Sequence, residues 1–84
     1  MDNISEIAGK IKKLKSEEEI YNFLLEILTE SEVETLSKRW CILKMLKDGK
    51  TQREIAKTLG VSLCKVTRGS KIIKNPKSVI IKHL

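Results

Sequence analysis

Apolar positions recur at helical spacing along almost the whole chain. Ile4, Ile7, Ile11 and Leu14 form one stripe. Ile20, Phe23, Leu24, Ile27 and Leu28 form a second, and Val33, Leu36, Trp40, Leu43 and Leu46 a third. Residues three and four apart share a helix face, so each stripe predicts an amphipathic helix. Start signals separate the stripes. Ser16 with Glu19, Thr29 with Glu32 and Thr51 with Glu54 each set a capping hydroxyl three residues before a carboxylate, the spacing of a capping box. Gly49 is a natural stop after the third stripe. Asn75-Pro76 ends the last strong helix, and Pro76 suits the first position of a short terminal one. Strand alternation, tandem repeats and low-complexity linkers are missing from the pattern. The expected class is all-α, five to six helices in a single domain over residues 1–84. Trp40, inside an apolar stripe, is expected in the core.

The spacing becomes more specific in TQREIAKTLGVSLCKVTRGSKII, residues 51–73. Counting from Gln52, Ile55 falls fourth, Ala56 fifth, Leu59 eighth, Gly60 ninth, Val61 tenth and Val66 fifteenth. Two helices joined by a tight turn must approach closely, which asks for a small residue at Ala56. Gly60 tolerates the left-handed backbone of the turn, the branched residues fill the corner, and Ser62 caps the second helix. Residues 51–74 are therefore predicted to form a helix-turn-helix. A helical hairpin with small residues placed by chance is the competing reading.

Projection of the second helix at helical pitch turns Ser62, Val66, Gly69 and Ile73 inward and Cys64, Thr67 and Lys71 outward. Leu63 lies on one flank, and Lys65, Arg68 and Ile72 on the other edge. Gly69 stands where motifs of this type carry a branched apolar residue, so a gap is expected on the inward face, with Arg68 at its border.

Composition adds a direction to this picture. A chain of 84 residues buries a modest fraction of its surface and often relies on partners. The net charge of +6 is unevenly spread. Residues 1–34 hold four lysines against nine carboxylates, a net −5, while residues 35–84 hold thirteen Lys and Arg against Asp48 and Glu54, a net +11. Such a division suits a polyanion partner for the second half, although a solvated lysine-rich surface gives the same count. Cys41 and Cys64 have no metal-type spacing, and His83 is the single histidine. Reduced thiols in a cytoplasmic protein are expected, one of them in the core, with no metal and no cofactor. No signal peptide and no apolar run of membrane-spanning length is seen. Acid–base pairs and nucleophile–histidine arrangements are missing too, so an enzyme is not expected.

On double-stranded DNA, a helix-turn-helix places the N-terminal part of its second helix in the major groove. Gln52, Arg53, Lys65, Lys71 and Lys74 are candidates for phosphate contacts. The caps at Thr51 and Ser62 leave backbone N–H groups for phosphate. Leu63, Cys64, Lys65 and Thr67 are candidates for base edges, the first two suited to thymine methyls.

LTESEVETLSKRWCILKMLKDG followed by TQREIAKTLGVSLCKVTRGSK resembles the trp repressor family. The resemblance covers roughly Leu28 to Pro76, and the series TQRE, LGVS, TRGS is its most specific part. It implies an intertwined homodimer, with dimerisation helices over residues 16–49, an N-terminal helix or arm over 1–15 and a short C-terminal helix over 75–84. It also implies a repressor that acts on a palindromic operator with L-tryptophan as corepressor. In that arrangement Arg39 and Arg68 lie on either side of the indole ring, carbonyls near Leu28 and Thr29 accept from the ligand's ammonium, and Gly69 leaves room for the ring. The sequence departs from the tryptophan-responsive members at three places. Ile72 replaces a small hydroxyl residue near the ligand's amino end, Glu26 replaces an apolar residue at the pocket rim, and the turn at Gly49-Lys50-Thr51 is one residue shorter. A regulator of the same fold with no amino-acid ligand, or a different one, is the first alternative. The helix-turn-helix of a recombinase or transposase system is the second.

Overall fold

The computed structural model describes residues 2–84. The described residues form five α-helices and one 3-10 segment, with no strand. They are α1 (Asn3–Lys12), α2 (Glu17–Ile27), α3 (Glu30–Lys47), α4 (Gln52–Leu59), α5 (Leu63–Lys74) and a final 3-10 turn, Ile80–His83. The all-α expectation holds.

The caps explain where the helices start. The Asp2 carboxylate accepts from the Ser5 N–H at 2.7 Å. Ser16 Oγ accepts from the Glu19 N–H at 3.1 Å, and Glu19 reaches back to accept from the Lys15 N–H at 2.9 Å. At α3 the box is fully reciprocal. Thr29 Oγ1 accepts from the Glu32 N–H at 3.1 Å, and the Glu32 carboxylate accepts from the Thr29 N–H at 2.9 Å. Thr51 Oγ1 accepts from the Glu54 N–H at 3.1 Å, and Ser62 Oγ from the Lys65 N–H at 3.4 Å. Each bond to a capping side chain at Asp2, Ser16, Thr29, Thr51 or Ser62 satisfies an N–H that the first turn leaves without a helical partner. Gly49, with φ +89°, ends α3. The Lys50 N–H then donates back to the Met45 carbonyl at 3.0 Å, the closing bond of a Schellman turn.

The chain divides into two compact units, the residues up to Glu34 and Thr35–Leu84. This is the residue at which the charge changes from a net −5 to a net +11. The first unit carries α1 and α2, and neither helix contains a buried residue. Its apolar stripes are at most half-buried, and Ile4, Tyr21, Leu25 and Ile27 are exposed. The second unit has a small core of Ile42, Ile55 and Val66, surrounded by Met45, Leu46, Ala56, Leu59 and Val61. Leu43 is buried as well.

Three expectations are corrected here. Trp40 is not in the core of the single chain: it is 40% exposed and Leu36 is 46% exposed. The face of α3 that is buried centres on Ile42, and Ile42 lies about 200° around the helix from Trp40 at helical pitch. The terminal helix does not begin at Pro76. The Asn75 side chain accepts from the Lys77 N–H and its carbonyl from the Ser78 N–H, both at 3.0 Å, so residues 75–78 form a turn and helical structure resumes only at Ile80. A short amide side chain offers the backbone a turn that competes with helix. Neither cysteine is in the core: both are free, Cys41 half-buried and Cys64 exposed.

Candidate nucleic-acid interface

α4 and α5 pack as the slot pattern requires. Ile55 and Val66 are 0% exposed and close the corner between the helices. Gly60, at φ 65° and ψ 37°, caps α4 in the left-handed conformation. The following N–H, of Val61, donates to the Ala56 carbonyl at 3.1 Å. The chain therefore reverses within three residues, and Ser62 starts α5 at once.

This turn leaves one side of α5 facing solvent. Leu63, Cys64, Thr67, Arg68 and Lys71 line a shallow depression along that side, and all five are exposed. Lys65 and Lys74 on α5 and Arg53 on α4 are exposed too. α5 contains no acidic residue, and Lys65, Arg68, Lys71 and Lys74 give it a positive charge along its length. Within Thr35–Leu84 the carboxylates are Asp48 and Glu54, and Glu54 lies in the capped first turn of α4. The summed field of this unit is thus strongly positive, as a polyanion would require.

The projected faces are largely recovered. Val66 and Gly69 are buried, Ile72 and Ile73 half-buried, and Cys64, Thr67 and Lys71 exposed. Two positions differ. Ser62 is exposed instead of inward, because its hydroxyl caps the Lys65 N–H. Ser70, which the projection did not single out, is buried. The inward gap expected at Gly69 is filled: a Cβ there would meet Ile42 Cγ2 at 2.9 Å, Leu46 Cδ1 at 3.3 Å and Leu43 Cδ2 at 3.6 Å. The glycine lets α5 approach the side chains of α3.

Arg39, Arg68, Gly69 and Ile72 belong to the second unit. Arg39 is exposed and stands one turn before Leu43 on α3. Leu28 and Thr29 form the connection between α2 and α3 in the first unit, where Thr29 serves as the cap described above.

One contact was not foreseen from the sequence. Gln52 and Thr67, each assigned separately to DNA, meet each other: Thr67 Oγ1 lies 2.9 Å from Gln52 Oε1. The same hydroxyl lies 3.0 Å from the Leu63 carbonyl. The pair is fifteen residues apart, and only the crossing of α4 and α5 brings it together.

The Trp repressor protein family profile matches residues 2–81. The chain belongs to the Trp repressor family. A Trp operon repressor homolog of Chlamydia caviae is 40% identical over 63 residues, 74% of this chain and 62% of that protein. A Trp operon repressor homolog of Chlamydia trachomatis serovar D is 35% identical over 69 residues, 81% of this chain and 70% of that protein. A Bacillus subtilis protein, YerC, is 29% identical over 65 residues, 77% of this chain and 62% of its own length. The chain therefore spans about three-fifths of the C. caviae relative. No solved structure matches at comparable significance. Trp repressor family membership places the chain with repressor-like, DNA-binding regulators and not with enzymes. Among the described residues, no group of His, Cys, Asp and Glu side chains stands together that could hold a metal. No helix among them is long and apolar enough to cross a membrane.

Proposed function

We propose that the chain is a sequence-specific transcriptional repressor that acts in the cytoplasm as a homodimer on a palindromic DNA operator. The observation that carries this reading is the corner at Gly60. It buries Ile55 and Val66 completely and turns the basic, carboxylate-free side of α5 to solvent. Leu63, Cys64 and Lys65 read base edges, and Thr67 stands beside them on the same exposed side of α5. Gln52, Arg53, Lys71 and Lys74 hold phosphates, together with the N–H groups near Ser62. The exposed Leu36 and Trp40 on α3, and the lack of any buried residue in α1 and α2, support dimerisation, because a second copy would cover apolar surface left open on one chain.

L-tryptophan is the proposed corepressor. The intact TRGS series and the exposed Arg39 and Arg68 support it, since planar guanidinium groups suit an aromatic ring and a carboxylate. In this reading Gly69 and Ile72 flank the ring. A second reading, a regulator of the same fold that needs no amino acid, is favoured by the Ile42 methyl already seated against Gly69.

Selection of bound duplexes from random DNA, with and without L-tryptophan, tests both. The expected product is a palindrome whose half-sites lie about 34 Å apart, one helical turn. Enrichment that depends on tryptophan supports the corepressor. Enrichment that ignores it, with no heat of tryptophan binding by calorimetry, supports the second reading. No enriched palindrome in either case removes the operator proposal.

A further inference from the structure

We propose that Gln52 and Thr67 act as one unit, in which Thr67 is a positioning residue that aims the Gln52 amide at a DNA phosphate. The proposal rests on the reading of α4 and α5 as the DNA-binding element. Thr67 Oγ1 donates to Gln52 Oε1 at 2.9 Å. The Leu63 carbonyl, one turn back on the same helix, lies 3.0 Å from the same oxygen, so the single hydroxyl proton is shared between two acceptors, with Gln52 the nearer. Thr67 thus holds the acceptor end of the Gln52 amide. The other end is an NH2 group, and among the described residues no protein acceptor engages it. An amide held by its oxygen presents only donors on its far side, and a donor suits an anionic oxygen.

The position of Gln52 decides which oxygen. It is the first residue of α4, directly after the Thr51 cap. In a helix-turn-helix the first helix crosses the sugar–phosphate backbone while the second enters the groove. Gln52 therefore meets phosphate and not a base edge. Its backbone N–H belongs to the helix end that leaves donors over, so side chain and main chain offer donors from the same residue. Thr67, although exposed on the reading helix, has its one hydroxyl proton engaged by Gln52 and Leu63 and so offers no free donor to a base edge. It contributes to DNA binding through Gln52 instead of through a base.

A double-mutant cycle on the full chain tests this, with the selected palindromic duplex and its single-base-pair variants as probes. Gln52→Ala and Thr67→Val should each weaken binding about tenfold, the weight of one hydrogen bond to a charged group. The double variant should also lose about tenfold, not a hundredfold, because the two residues share one interaction. Thr67→Ser keeps the hydroxyl and should bind as the wild type does. Gln52→Glu keeps the acceptor for Thr67 but sets a carboxylate against the phosphate, so it should bind more weakly than Gln52→Ala. The loss should be equal on every base-pair variant, and urea unfolding should show no comparable coupling between the two sites. Additive losses, coupling that appears equally in unfolding, or a loss confined to one base-pair position overturns the proposal. A wild-type chain that selects no duplex overturns the DNA reading beneath it.

Discussion

A Cβ built on Gly69 would lie 2.9 Å from Cγ2 of Ile42. Ile42 is buried, and its branched side chain is stiff about the first torsion, so this methyl has no easy way to yield. Helix propensity alone says that alanine at position 69 should stabilise α5 by about 1 kcal/mol. Packing says the reverse, since forcing a methyl into a filled core costs about 1–3 kcal/mol. The packing effect should win. Gly69→Ala is expected to unfold at lower urea concentration, with a net loss of about 1 kcal/mol. Ile42→Leu removes the opposing branch methyl and should recover part of that loss in the double variant. A Gly69→Ala chain that is as stable as the wild type but has a changed response to tryptophan would instead assign the glycine to a ligand.

Two other glycines isolate the contributions that Gly69 combines. Gly60 has φ +65° and Gly9 lies within α1, and neither would place a Cβ within 4 Å of any neighbour. Space is therefore no issue at either position, and only backbone preference decides. Gly60→Ala should lose about 1–2 kcal/mol from the left-handed backbone, whereas Gly60→Asn should lose less. Gly9→Ala should gain stability, or at least helicity by circular dichroism, by up to about 1 kcal/mol. A neutral Gly60→Ala would mean that the turn relaxes out of its left-handed conformation.

These glycines also mark how far the sequence could be read. Gly60 was legible because its demand is local: six slots over fifteen positions specify a turn that needs a positive φ. Ile55 and Val66 were legible for the same reason. Gly69 was legible only by half. Its inward direction follows from helical pitch, but nothing in the order of residues says that Ile42, twenty-seven positions earlier, stands opposite it. The Gln52–Thr67 contact was hidden for the same reason, as each residue had a sufficient explanation alone. Trp40 shows a different limit. An apolar stripe states that a face wants cover, and it does not state which chain supplies it. The turn at Asn75 was misread because Pro76 suits a helix start, and the hydrogen bonds of the Asn75 side chain and carbonyl took precedence.

The exposed pair Leu36 and Trp40 gives the dimer proposal a direct test. Both lie on α3 away from Ile42, so a charge there leaves the core of the second unit untouched. Trp40→Glu and Leu36→Glu should each shift the chain from dimer to monomer at micromolar concentration, read by analytical ultracentrifugation. Truncating a large side chain buried at an interface centre commonly costs about 2 kcal/mol or more, about thirtyfold in the dimer constant. A pair of variants that sediment like the wild type would show that this face meets something other than a second copy.

Lys65 and Arg68 separate DNA affinity from ligand response. Lys65 is exposed at the start of α5, three residues past the Ser62 cap, where the helix end already favours anions. Lys65→Ala should weaken binding to every duplex and reduce the slope of log affinity against log salt by about one. An unchanged slope would remove Lys65 from the phosphate contacts. Arg68 is placed for two roles, because it lines the outer depression with Leu63, Cys64, Thr67 and Lys71 and also adjoins Gly69 in sequence. As a phosphate ligand it would lose one unit of salt slope on conversion to alanine, and Arg68→Lys would restore most of it, because counterion release counts charge. As the wall of a tryptophan site it would lose the tryptophan enhancement in both variants, because lysine cannot stack as a plane. Retained enhancement in Arg68→Ala would exclude it from the ligand wall. The two measurements therefore assign Arg68 to DNA, to ligand or to both, and only the second depends on tryptophan binding at all.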